Sequence, residues 1–110
     1  GLCAAFRAEY DFTYAPGPPV VVNDAAVTAR IEAVGRALLG PENVAFLETP
    51  SMGGEDFAFM ANLVPAAHLR VGSGQPGRRD KLHNSGYQPD EACIGLGVQA
   101  LSRAAADYLA

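Results

Sequence analysis

The residues that offer chemistry lie in two short stretches that are well separated along the chain. The first is Gly53-Gly54-Glu55-Asp56, in which two glycines precede two carboxylates, and the second is His83-Asn84. Adjacent glycines let the backbone turn tightly and approach a ligand closely, because no Cβ obstructs either movement. Carboxylates and imidazoles are groups that transfer protons near neutral pH or bind metal ions. One interpretation is therefore an active-site wall that His83 completes from a second loop.

The first stretch also has a purely structural explanation. Carboxylates are favoured at the start of a helix, because free N–H groups and the positive end of the helix dipole lie there. An apolar series with helical spacing follows directly, made of Phe57, Met60, Leu63 and Val64. Ordinary helix capping and an active-site wall both remain open from these residues alone.

The composition describes a folded chain and argues against two classes of partner. Of 110 residues, 49% are hydrophobic and 18% are charged, which is typical of a globular protein. The net charge of −4 argues against nucleic acid or an anionic membrane as the main partner. No apolar run reaches the length of a membrane span, and no signal-peptide pattern opens the chain. Cys3 and Cys93 lack metal-ligand spacing and predict reduced thiols in a cytoplasmic protein.

Three segments have the patterns of strands. Residues 8–14 alternate strictly between aromatic and polar side chains, which predicts a half-buried strand. Short apolar runs predict two more strands, over residues 43–47 and 66–72. His68 in the last of these is expected to be a structural or edge histidine rather than a ligand.

Local signals also predict three helices. The first is expected to begin at Asn23-Asp24, with Asn23 as its N-cap, and to end at Gly40. The second follows the Gly-Gly-Glu-Asp stretch and must stop by Pro65. The last begins after Asp90, and small residues along it predict close packing on a neighbour. Its expected apolar face consists of Ile94, Val98, Leu101, Ala105 and Tyr108.

Two connecting segments have distinctive compositions. Residues 15–22 contain three prolines, which predict an extended connector and a domain boundary. Residues 70–81 contain Arg70, Arg78, Arg79 and Lys81, which are half of the eight basic residues in the chain. A solvated loop explains this cluster, and so does local attraction for an anionic substrate such as a carboxylate.

With these residues in view, the chain resembles the C-terminal part of the metal-dependent aminoacylase and carboxypeptidase family. That family includes hippurate hydrolase and the N-acyl-amino-acid and auxin-conjugate amidohydrolases. The resemblance covers nearly the whole chain, and three segments carry it in order. They are the Pro-Pro segment that leads to Asn23-Asp24, residues 52–57, and Leu82-His83-Asn84 followed by residues 90–92.

The resemblance implies an α/β fold with two domains. One is a three-layer α/β/α catalytic domain, and the other is an inserted ferredoxin-like lid that often dimerises. Residues 1–14 would end the lid, residues 15–22 would cross back, and residues 23–110 would form the C-terminal part of the catalytic domain. The expected partners are then the remainder of the same chain and, through the lid, a second copy. Such a piece is also expected to expose an apolar face or to hide it by self-association.

The resemblance also implies an activity and a set of site residues. His83 matches the last metal-binding histidine of the family, whose metal would be zinc or manganese. Gly53, Gly54, Glu55 and Asn84 match positions near the metal and the substrate. The implied reaction is hydrolysis of an amide bond in an N-acyl or N-aroyl amino acid of the hippurate type, or in a small peptide.

Several family features have no counterpart in this sequence. A Cys-x-His segment, a Glu-Glu pair and a further histidine are missing, and Ser85-Gly86 replaces the usual proline after the His-Asn pair. Because a catalytic metal needs about three protein ligands, the chain alone is expected to be inactive, with its metal incompletely bound or absent. Two other classes stay open. One is a non-catalytic binding or assembly module, and the other is a hydrolase that uses Glu55, Asp56 and His83 without metal.

Overall fold

Helices are the regular elements of the chain over the residues that the structure describes. The structure is a computed structural model, and it describes residues 1–78 and 80–110. None of the helices in these ranges is both long and apolar enough to cross a membrane. The helices are α1 (Leu2–Ala5), α2 (Ala25–Leu39), α3 (Phe57–Ala61) and α4 (Ala92–Leu109), and a 3-10 turn (Pro41–Asn43) follows α2.

The two ends of α2 are set by the signals that the sequence carries. The carboxylate of Asp24 accepts hydrogen bonds from the N–H groups of Ala26 and Val27, both at 2.9 Å. A cap of this kind stabilises a helix by about 1 kcal/mol. Gly40 ends the helix with a φ of 85°, a conformation that glycine adopts without the steric cost of a Cβ. The predicted ends are confirmed, but the N-cap is Asp24, and the assignment of Asn23 to that position was wrong.

Asn23 instead joins the start of α2 to residues 66–68. Its Oδ1 accepts the N–H of His68 at 2.8 Å, and its Nδ2 donates to the carbonyl of His68 at 3.2 Å. The N–H of Asp24 donates to the carbonyl of Ala66 at 2.8 Å. An amide side chain both donates and accepts, whereas a carboxylate only accepts. This difference explains why Asn23 makes the two-way contact and Asp24 caps the helix.

α4 begins where the sequence predicts, and it contacts α2. The carboxylate of Asp90 accepts the N–H of Ala92 at 2.9 Å. Near the other end of α4, Arg30 of α2 donates to the carbonyl of Asp107 at 3.2 Å and lies 5.6 Å from the ring centre of Tyr108. The less exposed side of α4 is rich in small residues, as the sequence predicts for close packing. It consists of Cys93, Leu96, Gly97, Ala100 and Ala104.

The predicted strands are wrong for the residues that the structure describes. Residues 8–14, 43–47 and 66–72 form no ladder with any described residue, so the layered sheets that the resemblance implies stay unconfirmed. A strand is stable only when a neighbour bonds its N–H and C=O groups, and an alternating pattern cannot supply that neighbour. Residues 66–68 use some of these groups on Asn23 and Asp24. Tyr10, Phe12 and Tyr14 are 73–76% exposed.

The core of the described chain is small, and large apolar side chains lie on the surface. Val34 and Ala58 are its buried hydrophobic residues, whereas Ile94, Val98 and Leu101 on α4 are at least 60% exposed. The radius of gyration is 19.5 Å, compared with about 13 Å for a compact chain of this length. An exposed apolar face was expected and is confirmed. Self-association and the domain boundaries at residues 14 and 22 stay predictions.

Candidate functional site

The carboxylate of Glu55 caps α3. Its Oε1 accepts the N–H of Phe57 at 3.2 Å, and its backbone carbonyl accepts the N–H of Ala58 at 3.1 Å. Asp56, at the N-cap position itself, makes no side-chain capping bond. Helix capping is therefore part of what this stretch does. Only one oxygen of the half-buried Glu55 carboxylate is used in this way within the described residues, which leaves the other for a ligand.

Gly54 approaches the proline-rich connector closely. A Cβ added to Gly54 would lie 3.1 Å from Cγ of Pro18, a separation tighter than most carbon contacts in proteins. The N–H of Gly53 donates to Oγ of Ser51 at 3.3 Å. Absence of a side chain at position 54 thus lets the loop lie against residues 15–22, so this glycine serves the packing of the loop on its own chain.

His83 lies near the tip of a segment that folds back on itself, here called the His83 loop and described over residues 73–78 and 80–90. The N–H of Asp90 donates to the carbonyl of Ser73 at 2.9 Å, and Gln75 donates to the carbonyl of Pro89 at 3.1 Å. Farther along, Nη2 of Arg78 donates to the carbonyl of Gly86 at 3.3 Å. The paired residues are 73 with 90, 75 with 89 and 78 with 86, so each pair is closer in sequence than the one before. The described parts of the loop therefore form two arms that run in opposite directions, without a strand ladder.

His83 itself has an unusual backbone conformation. Its φ is 63°, in the left-handed region that residues other than glycine occupy at a cost of about 1–2 kcal/mol. The next residues form a tight turn, in which Oδ1 of Asn84 accepts the N–H of Gly86 at 2.9 Å. The carbonyl of Asn84 accepts the N–H of Tyr87 at 3.0 Å. The imidazole is exposed and makes no hydrogen bond to the described part of the chain, so it is available to a ligand.

Two side chains that the sequence does not single out hold the two arms of this loop together. Oγ of Ser73 and the phenol oxygen of Tyr87 are 2.6 Å apart, and this hydrogen bond is partly buried. The two residues are 14 positions apart in the sequence. Such a long-range contact leaves no periodic pattern in a sequence, which explains why the sequence analysis missed it.

The two candidate loops do not touch through any hydrogen bond or ion pair between described residues. Instead, the short segment from His68 to Ser73, the first residue of the His83 loop, connects them along the chain. The ring of Phe57, next to the first loop, is 5.5 Å from the ring of His68, and Tyr87 of the second loop contacts Ser73. Residues 68 and 73 are at most about 18 Å apart along an extended chain. Assembly of one site from both loops stays a prediction, and so does a purely structural role for His68.

The described residues do not form a complete metal centre by themselves. In residues 1–78 and 80–110, no group of three or more His, Cys, Asp or Glu side chains is arranged to hold a metal ion. The exposed imidazole of His83 fits the role of one ligand of a larger set. Since a catalytic metal needs about three protein ligands, the remaining donors would have to come from outside this chain.

Part of the basic cluster has a structural task. Nε of Arg78 donates to Oδ2 of Asp80 at 2.7 Å, while its Nη2 bonds Gly86. The hydrogen bond from Arg78 is the main cause that lowers the pKa of Asp80 from its ordinary value of 3.8. Arg79 lies outside the described residues. Attraction of an anionic substrate therefore stays a prediction for Arg70 and Lys81, which are exposed.

Replacing Arg78 by glutamine should raise the pKa of Asp80 toward 3.8, because the charged donor is lost. The folded pKa is lowered, so this ion pair stabilises the fold above the unfolded-state pKa and ceases to do so as pH falls below the folded-state value. Titration of the Asp80 carboxyl carbon by NMR measures the shift. Arg36→Gln, which removes the ion pair with Glu32 on α2, is the matched control and should leave Asp80 unchanged. An unaltered Asp80 pKa in the Arg78 variant would contradict the assignment.

Comparison with known proteins shows what this chain is related to. It is 36% identical over 109 residues to a protein of Synechocystis sp. named probable hydrolase sll0100, a match to 97% of this chain and 28% of that protein. It is 32% identical over 110 residues to the putative amidohydrolase YhaA of Bacillus subtilis, covering 98% of this chain and 28% of that protein. It is also 30% identical over 104 residues to N-acetyldiaminopimelate deacetylase of Lacticaseibacillus casei, covering 92% and 26%.

These matches cover most of this chain but only a minor part of each relative. The chain spans 26–28% of the length of the three proteins. No solved structure gives a significant match. A family model described as peptidase family M20/M25/M40 matches residues 5–107, almost the whole chain. By that match the chain belongs to peptidase family M20/M25/M40, a family of hydrolases, as its sequence motifs suggested.

Proposed function

We propose that this chain works as part of a metal-dependent hydrolase that cleaves the amide bond of N-acyl or N-aroyl amino acids, of the hippurate type, or of small peptides. The observation that carries the proposal is the family match over residues 5–107. The names of two relatives agree with it, because an amidohydrolase and an N-acetyl deacetylase both hydrolyse amide bonds. The remainder of the enzyme would be supplied by residues outside this chain, since the relatives are more than three times as long.

Within that enzyme, His83 is one ligand of a divalent metal, zinc or manganese. An exposed imidazole on a turn held by Asn84 and Tyr87 supports this role. When bound, such a metal polarises the scissile carbonyl and lowers the pKa of a water molecule. The other ligands and the carboxylate that transfers the proton come from outside this chain.

The first loop would contact the substrate. Gly53 and Gly54 keep the backbone free of side-chain bulk, and the carboxylate oxygen of Glu55 that does not cap α3 faces no hydrogen-bond partner in the described chain. On Asn84, Oδ1 is used in the local turn, while its Nδ2 donates no bond to described residues and is the group offered to substrate. The resemblance to the family suggests these roles. The hydrogen-bonding pattern is compatible with them, because it leaves the named groups available to a substrate.

The proposal includes a fold and an assembly. Family membership supports an α/β peptidase-like domain, and the observed helices α2 and α4 suit such a domain. The three-layer sandwich, the ferredoxin-like lid ending at residue 14, and dimerisation through that lid are proposed with it. A cytoplasmic location agrees with the two free thiols, Cys3 and Cys93.

One observation favours the alternative of a binding or assembly module. The aromatic side chains of residues 8–14 are exposed, and a partner would cover them. The metal-free hydrolase is less well supported, because no contact between described residues joins Glu55 or Asp56 to His83.

The proposal is tested by a hydrolysis assay on the longer protein that contains this chain. The panel comprises hippurate, several N-acetyl amino acids and a dipeptide, each measured with added zinc or manganese and with a chelator. Release of amine from at least one substrate, abolished by the chelator, is expected. The isolated chain is the control and should release none. A metal-loaded longer protein that hydrolyses nothing in the panel but binds a protein partner would favour the assembly module.

A further inference from the structure

The turn that contains His83 is anchored to the rest of the chain at one partly buried residue. From residue 81 to residue 89, every residue is exposed except Tyr87. Its phenol oxygen lies 2.6 Å from Oγ of Ser73, at the short end of the range for O–H···O hydrogen bonds. Ser73 in turn accepts the N–H of Asp90 at the start of α4. The anchor therefore connects the turn to the residues that cap a long helix.

The same residue also closes the turn. The backbone N–H of Tyr87 donates to the carbonyl of Asn84, the immediate neighbour of His83. His83 has a φ of 63°, a conformation that persists only when surrounding contacts enforce it. Tyr87 supplies one such contact through its backbone and a second through its side chain. Arg78 adds a third at Gly86, but from an exposed position.

We propose that Tyr87, through its hydrogen bond to Ser73, is a positioning residue that fixes the direction of the His83 imidazole. This inference rests on the proposed function, in which His83 takes part in hydrolysis. Loss of the phenol oxygen would remove the partly buried side-chain hydrogen bond that ties the turn to Ser73, and the imidazole would then sample several orientations. Mutation of a residue that holds a metal ligand in its orientation typically lowers activity or metal affinity by about 10- to 100-fold.

The test uses Tyr87→Phe, Ser73→Ala and the double variant in the longer protein. We expect kcat to fall about 10-fold in each single variant, with a smaller rise in KM, because the turn also carries Asn84 while the first loop still contacts the substrate. The double variant should lose little more than either single one, since both remove the same hydrogen bond. Tyr108→Phe is the matched control, because its phenol oxygen bonds no described residue, and it should behave as the parent protein.

A second readout does not depend on activity. The NMR signals of the His83 ring in selectively labelled protein should broaden or shift in Tyr87→Phe and Ser73→Ala, and not in Tyr108→Phe. Unchanged His83 signals with kcat within twofold of the parent would overturn the inference. A variant that melts at a lower temperature but has the parent kcat below that temperature would also overturn the inference. Such a result would show that Tyr87 has a structural role alone.

Failure of this inference and failure of the proposed function give different results. If the longer protein hydrolyses nothing in the substrate panel, the proposed function fails, whatever the ring signals of the Tyr87 variants show. If His83→Ala is inactive while the Ser73 and Tyr87 variants are normal in both kcat and ring signals, only the positioning role is overturned.

Discussion

In the longer protein, His83→Ala should lower kcat/KM by more than about 100-fold and should remove bound zinc or manganese in parallel. Loss of a group that merely orients a ligand costs 10- to 100-fold, so loss of the ligand itself should cost at least about 100-fold. A 100-fold decrease corresponds to about 2.7 kcal/mol of transition-state stabilisation. Steady-state kinetics and metal analysis of the purified variant measure the two quantities.

The matched control is the other histidine of the chain. His68 is exposed, and its ring lies against Phe57 rather than on the His83 loop. His68→Ala should therefore retain its metal and most of its activity. His83→Asn is a second useful variant, because asparagine tolerates a positive φ and keeps the turn intact. Full activity and full metal content in His83→Ala would remove His83 from the site.

Signals that act within a few residues predicted the helices well. Gly40 ends α2, Asp90 begins α4, and α3 stops before Pro65. Each depends on a local property, such as a tolerated positive φ, a carboxylate near free N–H groups, or the restriction before proline. The exchange of roles between Asn23 and Asp24 was missed because it depends on His68, which is 45 residues away.

Strand prediction failed for a related reason. The alternation in residues 8–14 indicates that one face of the segment is apolar. It does not indicate which neighbouring segment will form hydrogen bonds with its backbone. In the described residues no such neighbour is present, and the aromatic side chains remain exposed. Helices satisfy their own backbone groups, whereas strands need a partner, and this difference separates the confirmed elements from the wrong ones.

The candidate site residues were predicted from the resemblance to a family, whereas their distances and hydrogen bonds are seen only in the structure. The family match over residues 5–107 confirms the family that these residues suggested, but it tests none of their individual roles. The motifs did not indicate that Glu55 also caps α3, or that Ser73 bonds Tyr87. Both contacts depend on the backbone path between residues of irregular structure, and no residue pattern encodes that path. Roles for Gly53, Gly54, Glu55 and Asn84 in substrate binding stay predictions.

Ala58→Asp should destabilise the fold around the first loop by about 3 kcal/mol or more, because it places a carboxylate without a partner in a buried position. Ala58 is 0% exposed and lies in the first turn of α3, directly after the loop that contains Glu55. Loss of α3 would release Glu55 from its capping bond with Phe57. We therefore expect lower stability and lower hydrolytic activity together. Urea unfolding of the longer protein, followed by circular dichroism, measures the change in the free energy of unfolding.

The control for this substitution is Ala61→Asp, on the same helix at a half-buried position. It carries the same loss of helix propensity, below about 1 kcal/mol, without burying the charge. Burial raises the pKa of the new carboxyl at position 58 above its unfolded-state value of about 3.9. The deficit should thus be largest where this carboxyl is ionised and should shrink as pH falls below its folded pKa. Equal, pH-independent losses in the two variants would show that position 58 is not buried in the longer protein.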